Sequence, residues 1–506
     1  MIGKRRWNQS RVGLATALLA VGVCLSAALC GCEEDAATDG APPPPRIGPT
    51  PNIVFILIDT LRSDMLGSHG NLRRSTPALD AIAAEGVDFA RAVTAAPWTQ
   101  PAVASLFCSR YPGAHGVLDY RLPLKAVHTK DQPVVAVMDE GLFTLAECLQ
   151  KRGYATAGFS ANPFITRGFG FAQGFEHFDD SFADNTTSGE VVNRAAMAWL
   201  ERRDPGQPFF LYLHYMDPHG PYDTGPEYLD PLLDEVEQLP EKHILTDEEK
   251  KQLGYLRKLP GAYTDRQRHV RLAQYREYWV ARYEAGVRDA DTHIAALRDA
   301  LAGLGVWDDA WVVVLADHGE ALCEHGFWEH GFSTHHTDLH VPLILRWPGT
   351  IPAGTRVART VRLIDVFPTV VDQLALPEPL GIQGTSLAPF IAGRPPSDPL
   401  MAFAEGVKLG PGQRACYVGD WKAILTMETG RLQLYNITND PLEQMDLATL
   451  RPQRTAEFRS LIDRQAQLNA DLLAGVSVQR APLSREQIEH LESLGYVGGA
   501  QPPGQQ

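Results

Sequence analysis

Asn52-Ile53-Val54-Phe55-Ile56-Leu57-Ile58-Asp59-Thr60 is the stretch that decides the fold class. An almost unbroken apolar, β-rich run reads as a parallel strand buried on both faces. It ends in a carboxylate, Asp59, at the strand's C-terminal edge, where open α/β sheets hold their ligands. Two later runs repeat the pattern. Residues 209–215 lead into Met216-Asp217-Pro218-His219, and residues 311–316 lead into Asp317-His318-Gly319-Glu320. One Asp at a strand end is commonly a helix N-cap. Three buried runs that each end in Asp or His predict a polar site along a single sheet edge.

Outward from these runs, helical apolar periods cover residues 76–86, 145–152, 191–202 and 275–304, and short strands are read at 154–160 and 341–346. Strands alternating with helices predict an α/β fold: a large mixed, mostly parallel sheet sandwiched by helices, over residues 51–375. Residues 223–282 are rich in Glu, Lys, Arg and Leu, with several prolines in the first half. They read as a mainly helical insertion over the site or as a solvated surface excursion. From about residue 376 the pattern changes. Strands at 420–425 and 431–437 and a helix at 455–473 predict a smaller C-terminal α+β subdomain over residues 376–480. A helix at 484–496 and a polar tail complete residues 481–506.

The chain has 506 residues, 44% of them hydrophobic and 21% charged, which excludes a disordered or collagen-like protein. A net charge of −15 excludes a broad basic surface for nucleic acid but leaves room for a local anion pocket. Lys4, Arg5, Arg6 and Arg11 precede an uncharged run over residues 12–31, the pattern of an export signal. The run is also just long enough for a retained anchor. Its end, Leu29-Cys30-Gly31-Cys32, looks like a bacterial lipobox, with Cys32 as the lipidated residue. The expectation is a signal over residues 1–31 and an exported protein held to the cell envelope by lipid, on a periplasmic or outer-membrane face. Residues 32–50, with Pro42-Pro43-Pro44-Pro45, read as an extended tether. Beyond Cys32 lie Cys108, Cys148, Cys323 and Cys416, widely spaced and without a CxxC; their pairing is not decided by the sequence.

Asp59, Asp317 and His318 are ligands of the type that Mg, Ca, Mn or Zn use. Two carboxylates in one cleft would repel each other and titrate abnormally without a cation. The segment Ala96-Pro97-Trp98-Thr99-Gln100-Pro101-Ala102-Val103-Ala104-Ser105-Leu106-Phe107, with Tyr111-Pro112 and His115-Gly116, resembles the nucleophile segment of the sulfatase family, in the alkaline phosphatase superfamily. The resemblance continues through Asp59 and Arg62, Asp217-Pro218-His219-Gly220-Pro221-Tyr222, Asp317-His318-Gly319-Glu320, Glu324-His325-Gly326, His330-Gly331, Val341-Pro342-Leu343-Ile344 and Asp365-Val366-Phe367-Pro368-Thr369. Leu434-Tyr435-Asn436 and Asn439-Asp440-Pro441 match the family's C-terminal part.

The resemblance implies an alkaline phosphatase-like fold and a metal-dependent hydrolase of sulfate, phosphate or phosphonate esters. It puts Asp59, Asp317, His318 and Thr99 on metal-ligand positions and Thr99 on the nucleophile. Asn162, His219 and His330 fall on contacts to the anionic group, His219 and His330 also on catalytic positions. His330 falls near a lysine of many sulfatases. Most sulfatases convert a Cys or Ser nucleophile to formylglycine, and Thr99 cannot supply that aldehyde; the usual arginine is Val103. The chain thus looks like a threonine-nucleophile branch of the superfamily. One divalent ion, Mn, Zn or Ca, is implied, the imidazole of His318 shifting preference toward Mn or Zn. His335, His336 and His340 leave room for a second metal. The alternatives are an envelope transferase of glycerol phosphate or phosphoethanolamine, and a sulfatase-like binding protein without turnover.

Overall fold

The computed structural model describes residues 50–118, 134–184, 187–237, 276–483 and 485. β1 (Ile53–Ile58) is buried at all 6 positions. A run with no polar alternation settles only where both faces are covered. Further along the chain come α1 (Pro77–Ala84), β2 (Val87–Phe89), α2 (Thr99–Cys108), β3 (Ala155–Ser160), β4 (His177–Asp179), α3 (Gly189–Leu200) and β5 (Phe209–Tyr215). After them come α4 (Arg276–Gly303), β6 (Trp311–Leu315), β7 (Leu343–Arg346) and β8 (Thr355–Val357). The strands form one 8-stranded sheet in the spatial order β8-β2-β7-β6-β1-β5-β3-β4.

β1 runs parallel to β5 and β6, and β5, β3 and β4 continue the parallel set. β7 is antiparallel to both β6 and β2. The sheet is mixed and mostly parallel, with helices flanking it, as the alternation of strand and helix predicts. Ile58 lies opposite Tyr215, Leu57 opposite Leu315, and His214 opposite Ser160. Parallel strands in this register finish at one edge, so Asp59, Asp317 and Asn162 leave the sheet together.

The strand read at 341–346 is divided. His340–Val341 pairs with Ala92–Val93 in a separate small sheet, and β7 begins only at Leu343. Pro342, between them, has no N–H to give to a ladder. Of residues 223–282, Pro226–Glu237 is helical and the last seven are the beginning of α4; residues 238–275 lie outside the described residues. So do the signal, Cys32, the tether up to residue 49, and all of the helix read at 484–496 except residue 485.

The later part of the chain builds a second, antiparallel sheet of 4 strands: β9 (Met401–Glu405), β10 (Gln413–Val418), β11 (Trp421–Thr426) and β12 (Leu432–Asn436). Phe458 and Ile462 of α5 (Pro452–Leu473) bury against Phe403, Cys416, Leu425 and Leu434. Beyond α5, Gln479–Pro482 pairs antiparallel with Val134–Val137 in a separate 2-stranded sheet. Among the described residues the cysteines Cys108, Cys148, Cys323 and Cys416 are free. No described helix is long and apolar enough to cross a membrane.

Candidate functional site

At the edge where β1 and β6 end, Asp59, Thr99, Asp317 and His318 come together, none more than 1% exposed. The Thr99 hydroxyl is 3.2 Å from His318 Nε2. The same nitrogen is 3.6 Å from Asp59 Oδ1 and 3.4 Å from Asp317 Oδ2. Neither of those two carboxylate oxygens has a hydrogen-bond partner. Two acid oxygens, an imidazole nitrogen and a hydroxyl therefore face one point.

The surroundings explain why these atoms, rather than their twins, face inward. Asp59 Oδ2 accepts from the Asn162 amide at 2.6 Å and sits 3.1 Å from His214 Nε2, which leaves Oδ1 presented. Asp317 Oδ1 accepts from the backbone N–H groups of His318, at 2.9 Å, and Thr60, at 3.3 Å, which leaves Oδ2. The His318 Nδ1–H donates to the Gly319 carbonyl at 2.9 Å, so the Nε2 lone pair points into the cluster. Thr60 turns the chain sharply after β1 with φ 58°, an unusual value for a β-branched residue. Tyr283 of α4 braces that turn: its hydroxyl donates to the Thr60 carbonyl at 2.8 Å and accepts from the Arg62 N–H at 2.9 Å. Gly319 is a glycine because a Cβ there would collide with the Thr337 carbonyl oxygen.

Two buried carboxylates this close cannot both ionise comfortably. Burial alone would raise Asp59, but the His214 hydrogen bond and the nearby His219 and His318 hold it down at about 2. Burial and the Asp59 charge push Asp317 well above the ordinary carboxylate range. Burial pulls His318, His219 and His330 below the ordinary imidazole range, which keeps their lone pairs available. Unpartnered oxygens from two acids, a neutral imidazole and a hydroxyl, all sealed from water, fit a divalent cation.

Thr99 opens α2, with Trp98 as its N-cap. The unpaired N–H groups of a helix's first turn favour negative charge beside it. The His330 ring centroid is 4.4 Å from that of His318 and 5.1 Å from that of His219, so both sequence-read histidines line the cluster. Behind His330, Nδ1 meets Glu320 Oε1 at 3.2 Å. The Asn162 amide donates to Asp59 Oδ2, which places this residue against the acid of the cluster.

His335, His336 and His340 do not converge. His335 pairs with Glu443 at 2.6 Å and stacks on His325, while His336 stacks on His340. His325, His335 and Glu443 have metal-like spacing. However, Glu443 already holds Lys422 at 2.5 Å through one oxygen and His335 through the other. Cys108 is core: it is buried, and burial raises its thiol to about 12.

The sequence reading missed His214 and Glu320 as the partner of His330. For His214 a signal existed, one imidazole in the otherwise apolar and aromatic Phe209–Tyr215 strand.

The family model described as Sulfatase matches residues 51–376, more than half of the chain. The chain belongs to the sulfatase family. A second model, N-sulphoglucosamine sulphohydrolase, C-terminal, matches residues 323–467. This sulfatase-family chain is 23% identical to the N-acetylglucosamine-6-O-sulfatase of Bacteroides thetaiotaomicron, over 69% of this chain and 72% of that protein. It is 24% identical to the Delta 4,5-hexuronate-2-O-sulfatase of the same organism, over 86% and 92% of the two chains. In fold it is similar to a protein solved in complex with its substrate D-glucosamine-2-N,6-O-disulfate, with a TM-score of 0.66, 20% identity and coverage of 84% of this chain and 99% of that one. It is also similar in fold to the phosphonate monoester hydrolase of Agrobacterium radiobacter, with a TM-score of 0.63, 20% identity and coverage of 86% and 99%.

Proposed function

We propose that this sulfatase-family chain hydrolyses a sulfate, phosphate or phosphonate ester through a covalent intermediate on Thr99, with one divalent cation held by Asp59, Asp317, His318 and Thr99. The observation that carries the reading is the Thr99 hydroxyl 3.2 Å from His318 Nε2, inside a group that also presents two unpartnered acid oxygens. A bound cation, Mn, Zn or Ca, supplies charge neutralisation and acidifies the hydroxyl. The start of α2 further favours negative charge on the Thr99 oxygen. Thr99 attacks the sulfur or phosphorus in line, one bond forming to its oxygen as the bond to the leaving oxygen breaks. His330, oriented through Nδ1 by Glu320, or His219 beside it, starts neutral, takes the proton that the Thr99 hydroxyl loses and returns it to the leaving oxygen. Asn162 and His214 hold Asp59 in place. Water then cleaves the threonine ester.

The relatives named for sulfatase activity on acetylglucosamine and hexuronate support a sulfated sugar as substrate. The threonine nucleophile keeps phosphate and phosphonate esters within the same chemistry. The N-terminal pattern supports an exported protein anchored to the envelope through Cys32. The test is turnover of nitrophenyl sulfate, phosphate and phenylphosphonate by purified protein reloaded with Mn, Zn or Ca. We expect at least one ester to be cleaved only with metal. No turnover on any ester, with no metal retained, would leave a binding protein; release of the group to an added alcohol instead of water would make it a transferase.

A further inference from the structure

Two cavities outside the reaction centre meet at Arg91, just after β2. The first, of about 300 Å³, is lined on its polar side by Arg62, Arg91, His336, Thr337 and His340, and otherwise by apolar residues that include Leu442. The second, of about 290 Å³, is lined by Arg91, Arg359, Thr360 and Asp420, with Pro399 and Leu400. Each is about as large as the smallest small-molecule sites, roughly 300 Å³. Arg91 lines both, so the two adjoin at one side chain and form a groove. A backbone ladder places its polar residues. Val361–Arg362 pairs parallel with Ala92–Val93, and the Val361 N–H donates to the Arg91 carbonyl at 3.0 Å, which sets Thr360 beside Arg91. His340–Val341 pairs with the other edge of Ala92–Val93.

Thr360 is 6% exposed, and its hydroxyl has no hydrogen-bond partner among the described residues; the sealed Thr337 hydroxyl of the first cavity has none either. A buried hydroxyl left without a partner is destabilising, and a ligand's own hydroxyl would relieve it. The His340 Nε2–H donates to the Ala90 carbonyl at 2.9 Å, which leaves Nδ1 as an acceptor. The three arginines differ in charge balance. Arg62 is paired with Asp64 and Glu324, and Arg91 with Asp420 at 3.0 Å. The exposed Arg359 is held by the Pro396 carbonyl at 2.7 Å and the Ser397 carbonyl at 3.5 Å, with no carboxylate paired to it among the described residues. Its positive charge is positioned but not cancelled. On a chain of net charge −15 this is a local place for an anion. Hydroxyls that lack partners, an acceptor nitrogen, a free guanidinium charge and the apolar edges of Pro399 and Leu400 together complement a sugar ring that carries an anionic group.

We propose that this groove is a second saccharide-binding site, distinct from the reaction centre, which takes a sulfated oligosaccharide with a sulfate on Arg359 and sugar hydroxyls on Thr360 and Thr337. The choice of sulfate rests on the reading of the centre as one that acts on a sulfated sugar. Arg62, at one end of the groove, follows Asp59 by three residues and donates to the carbonyl of Glu320, the partner of His330, at 3.0 Å. The groove therefore begins close behind the centre. A polymer held there stays beside the centre between cuts, whereas a small ester gains nothing from it.

A heparin hexasaccharide is the probe, titrated calorimetrically into the full chain, metal-loaded and chelated, and into its Arg359→Gln, Arg359→Lys and Thr360→Val variants. Losing one charged hydrogen bond should weaken binding roughly 10-fold in Arg359→Gln, and losing a neutral one about 3-fold in Thr360→Val. Arg359→Lys should recover most of the affinity, and chelated protein should still bind. Arg359 is exposed, so its replacement should leave folding intact, and cleavage of nitrophenyl sulfate should stay within about twofold of wild type. Equal affinity in wild type and Arg359→Gln overturns the proposal, as does equal affinity for the same hexasaccharide stripped of its sulfates. Binding that vanishes on chelation puts the sugar at the reaction centre alone and overturns it too. If no ester is turned over but binding still depends on Arg359, the groove stands and only the catalytic reading falls.

Discussion

Replacing Thr99 with valine should lower ester hydrolysis on the order of 10⁴- to 10⁶-fold, the scale seen when a nucleophile that works as part of a unit is removed. Valine keeps the shape of threonine and removes only the hydroxyl. Thr99 is 1% exposed at the first turn of α2, so an isosteric change should leave the unfolding midpoint close to that of wild type. Thr99→Ser restores a hydroxyl at the same place and should retain activity within about tenfold, since the methyl group takes no part in the attack. Intact-mass measurement during turnover should find a sulfo- or phospho-adduct in wild type and none in Thr99→Val. Wild-type rates in the valine variant would remove the threonine from the chemistry and leave water as the nucleophile.

Stripping the metal should abolish activity and lower the melting temperature by about 4–5 °C. A ligand at a thousand times its dissociation constant stabilises the folded state by about 4 kcal/mol. The cause is the pair of buried acid oxygens, Asp59 Oδ1 and Asp317 Oδ2, which have no other partner. The sign of the accompanying pH effect follows from Asp317. In the chelated protein its folded pKa lies well above the unfolded value, because of burial and the Asp59 charge. Its favourable contribution is therefore fully present below the unfolded carboxylate range and is lost as pH rises through the folded value. Chelated protein should melt at a lower temperature at pH 8 than at pH 5, and metal should narrow that difference. Asp317→Asn removes the repulsion, so this variant without metal should be more stable than chelated wild type while binding metal more weakly. Equal melting with and without metal across that range would mean that no cation belongs between these acids.

The placement of the acids was legible because it depends on a local pattern. Unalternating runs such as Ile53–Ile58 and Trp311–Leu315 demand burial on both faces, and parallel pairing then puts whatever follows them at one edge. Asp59, Asp317, His318 and Thr99 meet as that logic and the family resemblance together imply. What escaped depends on neighbours that are distant in sequence. His214 sits inside an otherwise apolar and aromatic strand, and its ring reaches Asp59 only because β5 lies beside β1. The pairing of Gln479–Pro482 with Val134–Val137 escaped because the first of these, Gln-Arg-Ala-Pro, carries no strand pattern and the second, though valine-rich, is only 4 residues long. The hydrogen bond from Asn162 to the Asp59 carboxylate is likewise set by the register of the strands rather than by a local pattern.

The turn that presents Thr99 is clasped from behind by residues made late in synthesis. Gly406 accepts from the Trp98 indole, and the Glu405 N–H donates to the Ala95 carbonyl at 3.0 Å. A chain still emerging from the ribosome, or one clipped near residue 376, would own every acid and imidazole of the centre yet lack the hand that steadies its hydroxyl. Such a fragment should be less active than the whole chain, since the turn before Thr99 would lose these two hydrogen bonds.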